Sequence, residues 1–272
     1  MDNILDYCGL TDAYFKRLVH DRKEVLVKLL KGICNIEVDN EDEIEFENVE
    51  NIDELSLKTT RFDISIRILN TRIDIESENS REGDIKYYDN RKIYYLSRLH
   101  SSIYKDTISY NEEHRSFVVF IYNFDIGNNY LISESYLYNK EKDYIYPHLR
   151  IYDVCLPRIN KSSTLEVERL LDLLRSNDIT SYKNSENEFL KDVAKMITIY
   201  DKDEIMRLQV EQNRDAVRQL NSIKEYAKNQ GIEEGQKAAK IETAKNLLGL
   251  GVDIDIISKS TGLSIEEIEK LK

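Results

Sequence analysis

The feature that most constrains the fold is a stretch of alternating apolar and polar residues, RFDISIRILNTRIDIESENS at residues 61–80. Alternation of this kind is typical of a β-strand, because successive side chains point to opposite faces of a sheet. The alternation restarts after Asn70 and Thr71, which predicts two antiparallel strands joined by a two-residue turn. The chain is therefore expected to form a β-hairpin here.

Acidic residues crowd the polar face of this predicted hairpin. A turn at Asn70-Thr71 would place Asp63 opposite Glu78 and diagonal to Glu76, with Cα atoms about 7 to 8 Å apart. Like charges across a sheet repel, and Arg67 would lie opposite only Asp74. An oxygen-rich cluster without histidine suits a hard cation such as Mg²⁺ or Mn²⁺. The alternative is a polar face open to water, which is normal for an antiparallel hairpin.

Charge is distributed unevenly along the 272 residues, whose formal net charge is -12. That sum argues against a nucleic-acid partner, since phosphate contacts need Lys and Arg. Ten acids and no base fall within residues 36–54, however, whereas residues 12–32 and 81–105 each hold six bases and three acids. The two basic segments are equally typical of a basic groove and of solvated helix faces.

Cysteine usage and hydropathy restrict the class of protein. Cys8, Cys34 and Cys155 are odd in number and lack the spacing of a zinc site or a disulfide framework. A reducing cytoplasm is the simplest expectation. The sequence contains no apolar run approaching the roughly 18 residues of a membrane span, so we expect no membrane association.

The order of predicted elements indicates an α/β domain followed by helices. The predictions are an amphipathic helix over 12–33, a short strand near 44–49, the hairpin, a helix over 82–104, and strands at 116–124, 130–138 and 149–156. We expect three regions: an α/β domain at 1–160, a helical extension at 161–230 and a small helical module at 231–272.

The last region is expected to begin at a glycine-containing joint, GIEEGQ at residues 231–236. Breaks are predicted at 249–251 and at Gly262, and Ser264 with Glu267 forms a capping-box pattern. Leu263, Ile265, Ile268 and Leu271 would pack against Leu247 and Leu248 inside this module. Its separate character favours a docking or self-association role, so we expect a homo-oligomer formed through the C-terminal helices.

Several short patterns follow one another in a specific order. They are Asp12, Phe15 and Lys16 on the first helix; Lys58 and Arg61 before Asp63; Ile75, Glu76 and Glu78 on the hairpin; Arg91, Tyr94, Tyr95, Ser97 and Leu99 on the next helix; and Leu156-Pro157-Arg158. In this order the chain resembles the recombination-promoting nuclease and transposase-like family of the PD-(D/E)XK nuclease superfamily, over nearly its whole length.

The resemblance implies a restriction-endonuclease-like core, a mixed central sheet flanked by helices, and hydrolysis of DNA phosphodiesters with Mg²⁺ or Mn²⁺. It implies that Asp63, Glu76 and Glu78 form the catalytic motif. Asp63, Glu76 and the Ser77 backbone carbonyl would hold the metal ion. The residues expected to contact DNA are Lys16, Lys58, Arg61, Arg91 and Lys92.

One position departs from the family pattern. The third motif position normally carries Lys or Gln, which orients the attacking water or touches the phosphate, and here it is Glu78. Lys58, Lys86 or Lys92 would then supply the positive charge from elsewhere. The alternative function is a catalytically impaired relative that binds nucleic acid or a protein partner.

Overall fold

A computed structural model describes residues 4–47, 50–51, 60–61, 63–81, 83–104 and 109–271. The chain divides into two compact units, Met1–Val210 and Glu211–Lys272. The strands are β1 (Glu45–Phe46), β2 (Glu50–Asn51), β3 (Thr60–Arg61), β4 (Ile64–Ile68), β5 (Thr71–Glu78), β6 (Arg115–Tyr122), β7 (Ile132–Asn139) and β8 (Tyr144–Cys155). The helices are α1 (Asp12–Asp21), α2 (Glu24–Cys34), α3 (Ile85–Ile103), α4 (Glu166–Arg175), α5 (Thr180–Lys183), α6 (Glu188–Lys202), α7 (Glu204–Gly249), α8 (Ile254–Thr261) and α9 (Ile265–Glu269).

The first unit is built on a six-stranded mixed sheet with the strand order β1-β4-β5-β6-β8-β7. β4 and β5 are antiparallel, β5, β6 and β8 run parallel, and β7 returns antiparallel to β8. The parallel crossover from β5 to β6 is made by α3, as parallel neighbours require a long connection. β2 and β3 form a separate two-stranded pair.

Helices cover both faces of the sheet. The face that carries Ile64, Ile66, Ile73 and Ile75 packs into one core with α1, α2, α4 and α6. The opposite face carries Val118, which lies in a second core with residues of α3. The predicted class, a PD-(D/E)XK-like mixed sheet flanked by helices and followed by a helical region, is confirmed.

The hairpin turn differs from the prediction. β4 pairs with β5 so that Ser65 lies opposite Asp74 and Arg67 lies opposite Arg72. The two-residue loop is therefore Leu69-Asn70, with Leu69 in the left-handed region at φ 51°, and the predicted pairing of Arg67 with Asp74 is wrong. Because the register moves by two residues, each side chain keeps its predicted face.

The two opposed arginines of this hairpin share an acid from outside it. Arg72 Nε lies 2.9 Å from Glu47 Oε2, and Arg67 Nε lies 3.5 Å from Glu47 Oε1. Arg67 also pairs with Glu45 on the neighbouring edge strand β1. Acids of the 36–54 segment thus offset the like charge that the register brings together.

The helix predicted over 12–33 is interrupted. α1 ends at Asp21 and α2 begins at Glu24, because Arg22 leaves the helical region at φ -144° and ψ 86°. Its guanidinium bonds Glu24 at 3.0 Å and lies 3.4 Å from Asp192 on α6. The amphipathic pattern is therefore right, but it is divided between two helices that pack into the same core.

The helices after residue 160 contribute to the same compact unit as the sheet. Apolar residues of α4 and α6, among them Leu170, Leu171, Leu190 and Val193, lie in one core with the isoleucines of the hairpin. A shared core does not show which segments can fold independently, so the predicted domain boundaries at 160 and 230 stay predictions.

The second unit, Glu211–Lys272, has a small core of its own formed by Ala244, Ile257, Leu263 and Ile268. The predicted packing of Ile265 in this core is wrong, since its side chain is 46% exposed. The breaks at 249–251 and Gly262 are confirmed, and the Ser264/Glu267 capping box is present. The predicted joint at 231–236 is wrong, since α7 continues to Gly249. Glycine inside a helix costs only about 1 kcal/mol, too little to end it here. In the described part of the chain, no helix has the length and apolar character needed to cross a membrane.

Candidate active site

Asp63 and Glu76 meet at the open end of the β4-β5 hairpin. The backbone N–H of Asp63 donates to Glu76 Oε1 at 2.9 Å, and the backbone N–H of Ser77 donates to Asp63 Oδ2 at 3.2 Å. This reciprocal pair of hydrogen bonds holds the two carboxylates side by side. The two residues therefore meet as direct rather than diagonal neighbours, as the corrected register requires.

The acidic face of β5 is buried. Asp74, Glu76 and Glu78 are 0%, 2% and 8% exposed, because α3 packs across β5, β6 and β8 on this side. The alternative of a polar face open to water is therefore wrong for these residues. Asp63 lies nearer the surface, with its side chain 26% exposed, so the cluster reaches solvent at one end.

The guanidinium of Arg91, on α3, bonds two of the acids. Its Nη2 lies 3.1 Å from Glu76 Oε2, and its Nη1 donates to Glu78. The guanidinium also lies 5.1 Å from the centre of the Tyr95 ring, one helical turn further along α3. The pKa of Arg91 is raised despite its burial, chiefly by the charge of Glu78. Arg91 therefore supplies positive charge directly at the position that departs from the family pattern.

Lys16 lies at the exposed end of the cluster. Its Nζ is 2.6 Å from Asp12 Oδ1 and 3.6 Å from Asp63 Oδ1. Burial lowers the pKa of this lysine, but its hydrogen bonds to the two acids and their charge outweigh that effect and raise it. Asp12 and Lys16, one turn apart on α1, thus bring a charged pair to the edge of the site.

The other predicted DNA contacts are distributed differently. Lys92 pairs with Asp153 at 2.9 Å and with Asp89 at 3.1 Å, beside the acid cluster. Lys58 lies outside the described residues, and only the backbone of Arg61 is described, in β3. Lys86, a candidate for the missing positive charge, is exposed on α3.

Asp74 lies in the same acidic cluster, where the sequence predicts only a partner for Arg67. It is fully buried, and neither of its carboxylate oxygens has a hydrogen-bond partner among the described residues. Its pKa is raised well above the ordinary value, first by burial and then by the negative charges of Glu76 and Asp63. No local sequence signal marked it, since its burial depends on α3.

The pKa values of the neighbouring acids Glu76 and Asp63 are raised as well. Burial raises the pKa of Glu76 well above its usual range, and the charge of Asp63 adds to it. Burial also raises the pKa of Asp63, together with the charge of Asp12. Without further positive charge the cluster therefore favours its protonated form.

A divalent cation would offset the repulsion among these buried carboxylates, and the oxygen donors present suit Mg²⁺. Within the described ranges, no group of three or more His, Cys, Asp or Glu side chains is arranged to hold an ion. Two adjoining carboxylates, Asp63 and Glu76, nevertheless match Mg²⁺, which binds one or two carboxylates and completes its shell with water or phosphate. The residues therefore fit a two-carboxylate site.

One of three comparisons with known proteins gives a match. No curated protein and no solved structure shows significant similarity to the chain. The sequence profile of one family matches residues 9–227, a range that contains the hairpin, α3 and the helices that complete the core. On that match the chain belongs to the family described as PD-(D/E)XK nuclease family transposase.

Proposed function

We propose that this protein is a Mg²⁺- or Mn²⁺-dependent endodeoxyribonuclease that hydrolyses DNA phosphodiester bonds. The observation that carries the proposal is the junction of Asp63 and Glu76, each of whose carboxylates accepts a backbone hydrogen bond at the meeting point of the two strands. Burial raises the pKa of both residues, and the charge of Asp63 raises that of Glu76 further. Asp63, Glu76 and the Ser77 carbonyl would hold the ion. When bound, the ion would lower the pKa of a water molecule and offset negative charge on the phosphate.

The basic residues of the site have separate roles in this proposal. Arg91 neutralises Glu78 and keeps Glu76 oriented, so that a phosphate can approach a cluster that would otherwise repel it. Lys16 stands at the exposed end beside Asp63, where it would contact the DNA backbone. Lys58, Arg61 and Lys92 are further proposed contacts with DNA.

A second candidate function rests on the contacts of Glu76 and Glu78. Arg91 bonds both residues, so one oxygen of Glu76 is already engaged by a cation of the protein itself. In a catalytically impaired relative this ion pair would replace the metal. The protein would then bind nucleic acid or a protein partner without cutting DNA.

Cleavage of supercoiled plasmid DNA distinguishes these functions. We expect the wild type to nick or cut it with Mg²⁺ or Mn²⁺ and Asp63→Asn to lose at least about a hundredfold in rate, since a metal ion contributes several kcal/mol of transition-state stabilisation. Asp39→Asn, which neutralises an exposed acid outside the site, is the matched control. Calorimetric titration with Mn²⁺ should show binding to the wild type and none to Asp63→Asn.

Wild-type protein that binds DNA but neither cuts it nor takes up Mn²⁺ would support the impaired relative instead. Equal cleavage by wild type and Asp63→Asn would contradict the assignment of Asp63.

We also propose that the C-terminal helices mediate self-association. Leu250, Ile256 and Ile265 of the second unit are 79%, 58% and 46% exposed, and burying such side chains between copies would be favourable. A cytoplasmic location stays a prediction; the three cysteines are free thiols, in keeping with it.

A further inference from the structure

A cavity of about 300 Å³ adjoins the candidate active site between α3 and the ends of β6 and β8. Tyr122, which lines it, is the register partner of Glu78 on the neighbouring strand. Lys92, which also lines it, follows Arg91 directly on α3. The cavity and the acid cluster are therefore separated by a single residue step along α3 and a single strand spacing across the sheet.

The walls of the cavity are largely aromatic and apolar. The Tyr88 ring lies 5.5 Å from the Tyr122 ring and 5.5 Å from the Phe124 ring, measured between centroids. Tyr88 and Tyr122 are buried, Phe124 is half-buried, and Ile85 at the rim is 51% exposed. A flat apolar group could therefore enter past Ile85 and meet aromatic faces and edges inside.

The polar groups of the cavity are balanced in charge. Lys92 and Asp153 form an ion pair at 2.9 Å, with side chains only 12% and 10% exposed. Arg81 and Asp89 add one further charge of each sign at the lining. A phosphate would meet as many negative as positive groups here, whereas a neutral ring with donors and acceptors along its edge could bond both members of the buried pair.

We propose that this cavity receives an unstacked nucleobase of the DNA strand whose phosphate lies at Asp63 and Glu76. The inference rests on the proposed function and extends it to a subsite: the protein would bind the reacting strand with one base out of the stack. Aromatic contact is sequence-tolerant, because every base presents a π-face. Lys92 and Asp153 would favour particular base edges over others.

The test measures binding without cleavage, using the Asp63→Asn background. The probes are a short single-stranded oligonucleotide and the same strand with one abasic position. We expect the abasic strand to bind about tenfold more weakly, as loss of one stacked base implies. Ile85→Trp, which places an indole at the cavity rim, should weaken binding of the intact strand by a similar factor. It should leave binding of the abasic strand nearly unchanged.

Two further variants keep the result interpretable. Ile93→Trp is the matched control, since Ile93 lies on the same helix, is 59% exposed and does not line the cavity. Phe124→Leu removes an aromatic wall with a small change in volume and should reproduce the effect of Ile85→Trp. Circular dichroism establishes that each variant is folded.

The outcomes separate this inference from the proposed function. If Ile85→Trp and the abasic position weaken binding independently, so that their effects on affinity add, the subsite is overturned even if wild-type protein cuts DNA. The same conclusion follows if every variant binds both strands with equal affinity. Absence of DNA binding would overturn it as well. If the two effects on affinity are not additive but wild-type protein never cuts DNA, the subsite is supported and the nuclease activity is excluded.

Discussion

At the scale of single residues, Arg91 explains how the acidic strand is tolerated. Its guanidinium contacts Glu76 and Glu78 together and packs against Tyr95. Breaking such a buried charge network by removing one partner typically costs several kcal/mol, because a charge is left uncompensated. The consequence for function is that Glu78 is already neutralised before a phosphate approaches.

Replacing Glu78 by glutamine should improve DNA binding. The substitution removes one negative charge beside the proposed phosphate position and leaves Arg91 freer to attract it. We expect affinity for DNA to rise by about threefold to tenfold in a salt-dependent manner, measured by fluorescence anisotropy at two ionic strengths. Glu141→Gln, at an exposed position away from the site, should have little effect. Weaker binding by Glu78→Gln would show that Glu78 itself helps to hold substrate or metal.

Asp74 should make the stability of the metal-free protein depend on pH. Its pKa is raised in the folded state, so the folded chain retains a proton that the unfolded chain loses above about pH 4. Since the folded state then binds more protons, stability falls as pH rises through this window. We expect the free energy of unfolding to fall as the pH is raised towards neutrality and beyond.

Urea unfolding in chelator, at about pH 5 and about pH 8, measures this dependence. Asp74→Asn should flatten it, and Asp39→Asn should not. The same slope in Asp74→Asn and wild type would show that other groups cause it, Asp63 and Glu76 foremost, because their pKa values are raised too.

At the scale of elements, α3 decides the character of the site. It forms the parallel crossover between β5 and β6 and packs its Tyr88, Leu96 and Leu99 against the sheet. The same packing sets Arg91 over the acids of β5 and Lys92 over Asp153 of β8. One helix thereby covers the acidic face, supplies its counter-charge and forms a wall of the adjoining cavity.

α7 contains two glycines that should be dispensable. Gly231 and Gly235 lie within the helix, and an added Cβ would have no atom within 4 Å at either. Replacing both by alanine should raise stability by about 1 to 2 kcal/mol, because alanine is favoured over glycine in a helix interior. Thermal unfolding followed by circular dichroism measures the change.

Gly251 provides the matched control for this prediction. It also has open space around its Cα, but its φ of 75° lies in the left-handed region. Gly251→Ala should therefore destabilise the protein. Stabilisation at Gly251 or destabilisation at the two helical glycines would contradict this reasoning.

At the scale of the whole molecule, the helices that follow the sheet contribute buried residues to the core of the first unit. Leu170, Leu190 and Val210 are buried in the core that also holds the hairpin isoleucines. A chain that ends at residue 160 would lose these residues and expose the apolar surface that they cover. Independent folding of the predicted 1–160 domain is therefore the point to test.

We expect a chain ending at Val210 to unfold cooperatively and to be monomeric. Its core is complete, and it lacks the exposed apolar residues of the second unit through which we propose self-association. Urea unfolding and sedimentation velocity check the two expectations, with the full chain and a chain ending at Asn160 for comparison. A cooperative transition in the shorter chain would support the boundary at 160 instead.

The sequence by itself determined the elements around the site and the faces of the hairpin. Alternation at 62–68 and 73–78 is a local property with a period of two, so it indicates which side chains share a face whatever the exact turn. Asp63, Glu76 and Glu78 could be selected on that ground together with the order of the surrounding motifs. The capping box at Ser264 is equally local.

Only the tertiary structure decided the register, the burial of the acids and the partner of Glu78. Local turn propensity favoured Asn70-Thr71, but the chain turns at Leu69-Asn70. A polar strand face looks the same in sequence whether water or a helix covers it. Packing of α3 over β5 creates the low-dielectric surroundings that raise the acid pKa values and brings Arg91 to Glu78. These are long-range effects, and the residues that produce them lie far apart in the chain.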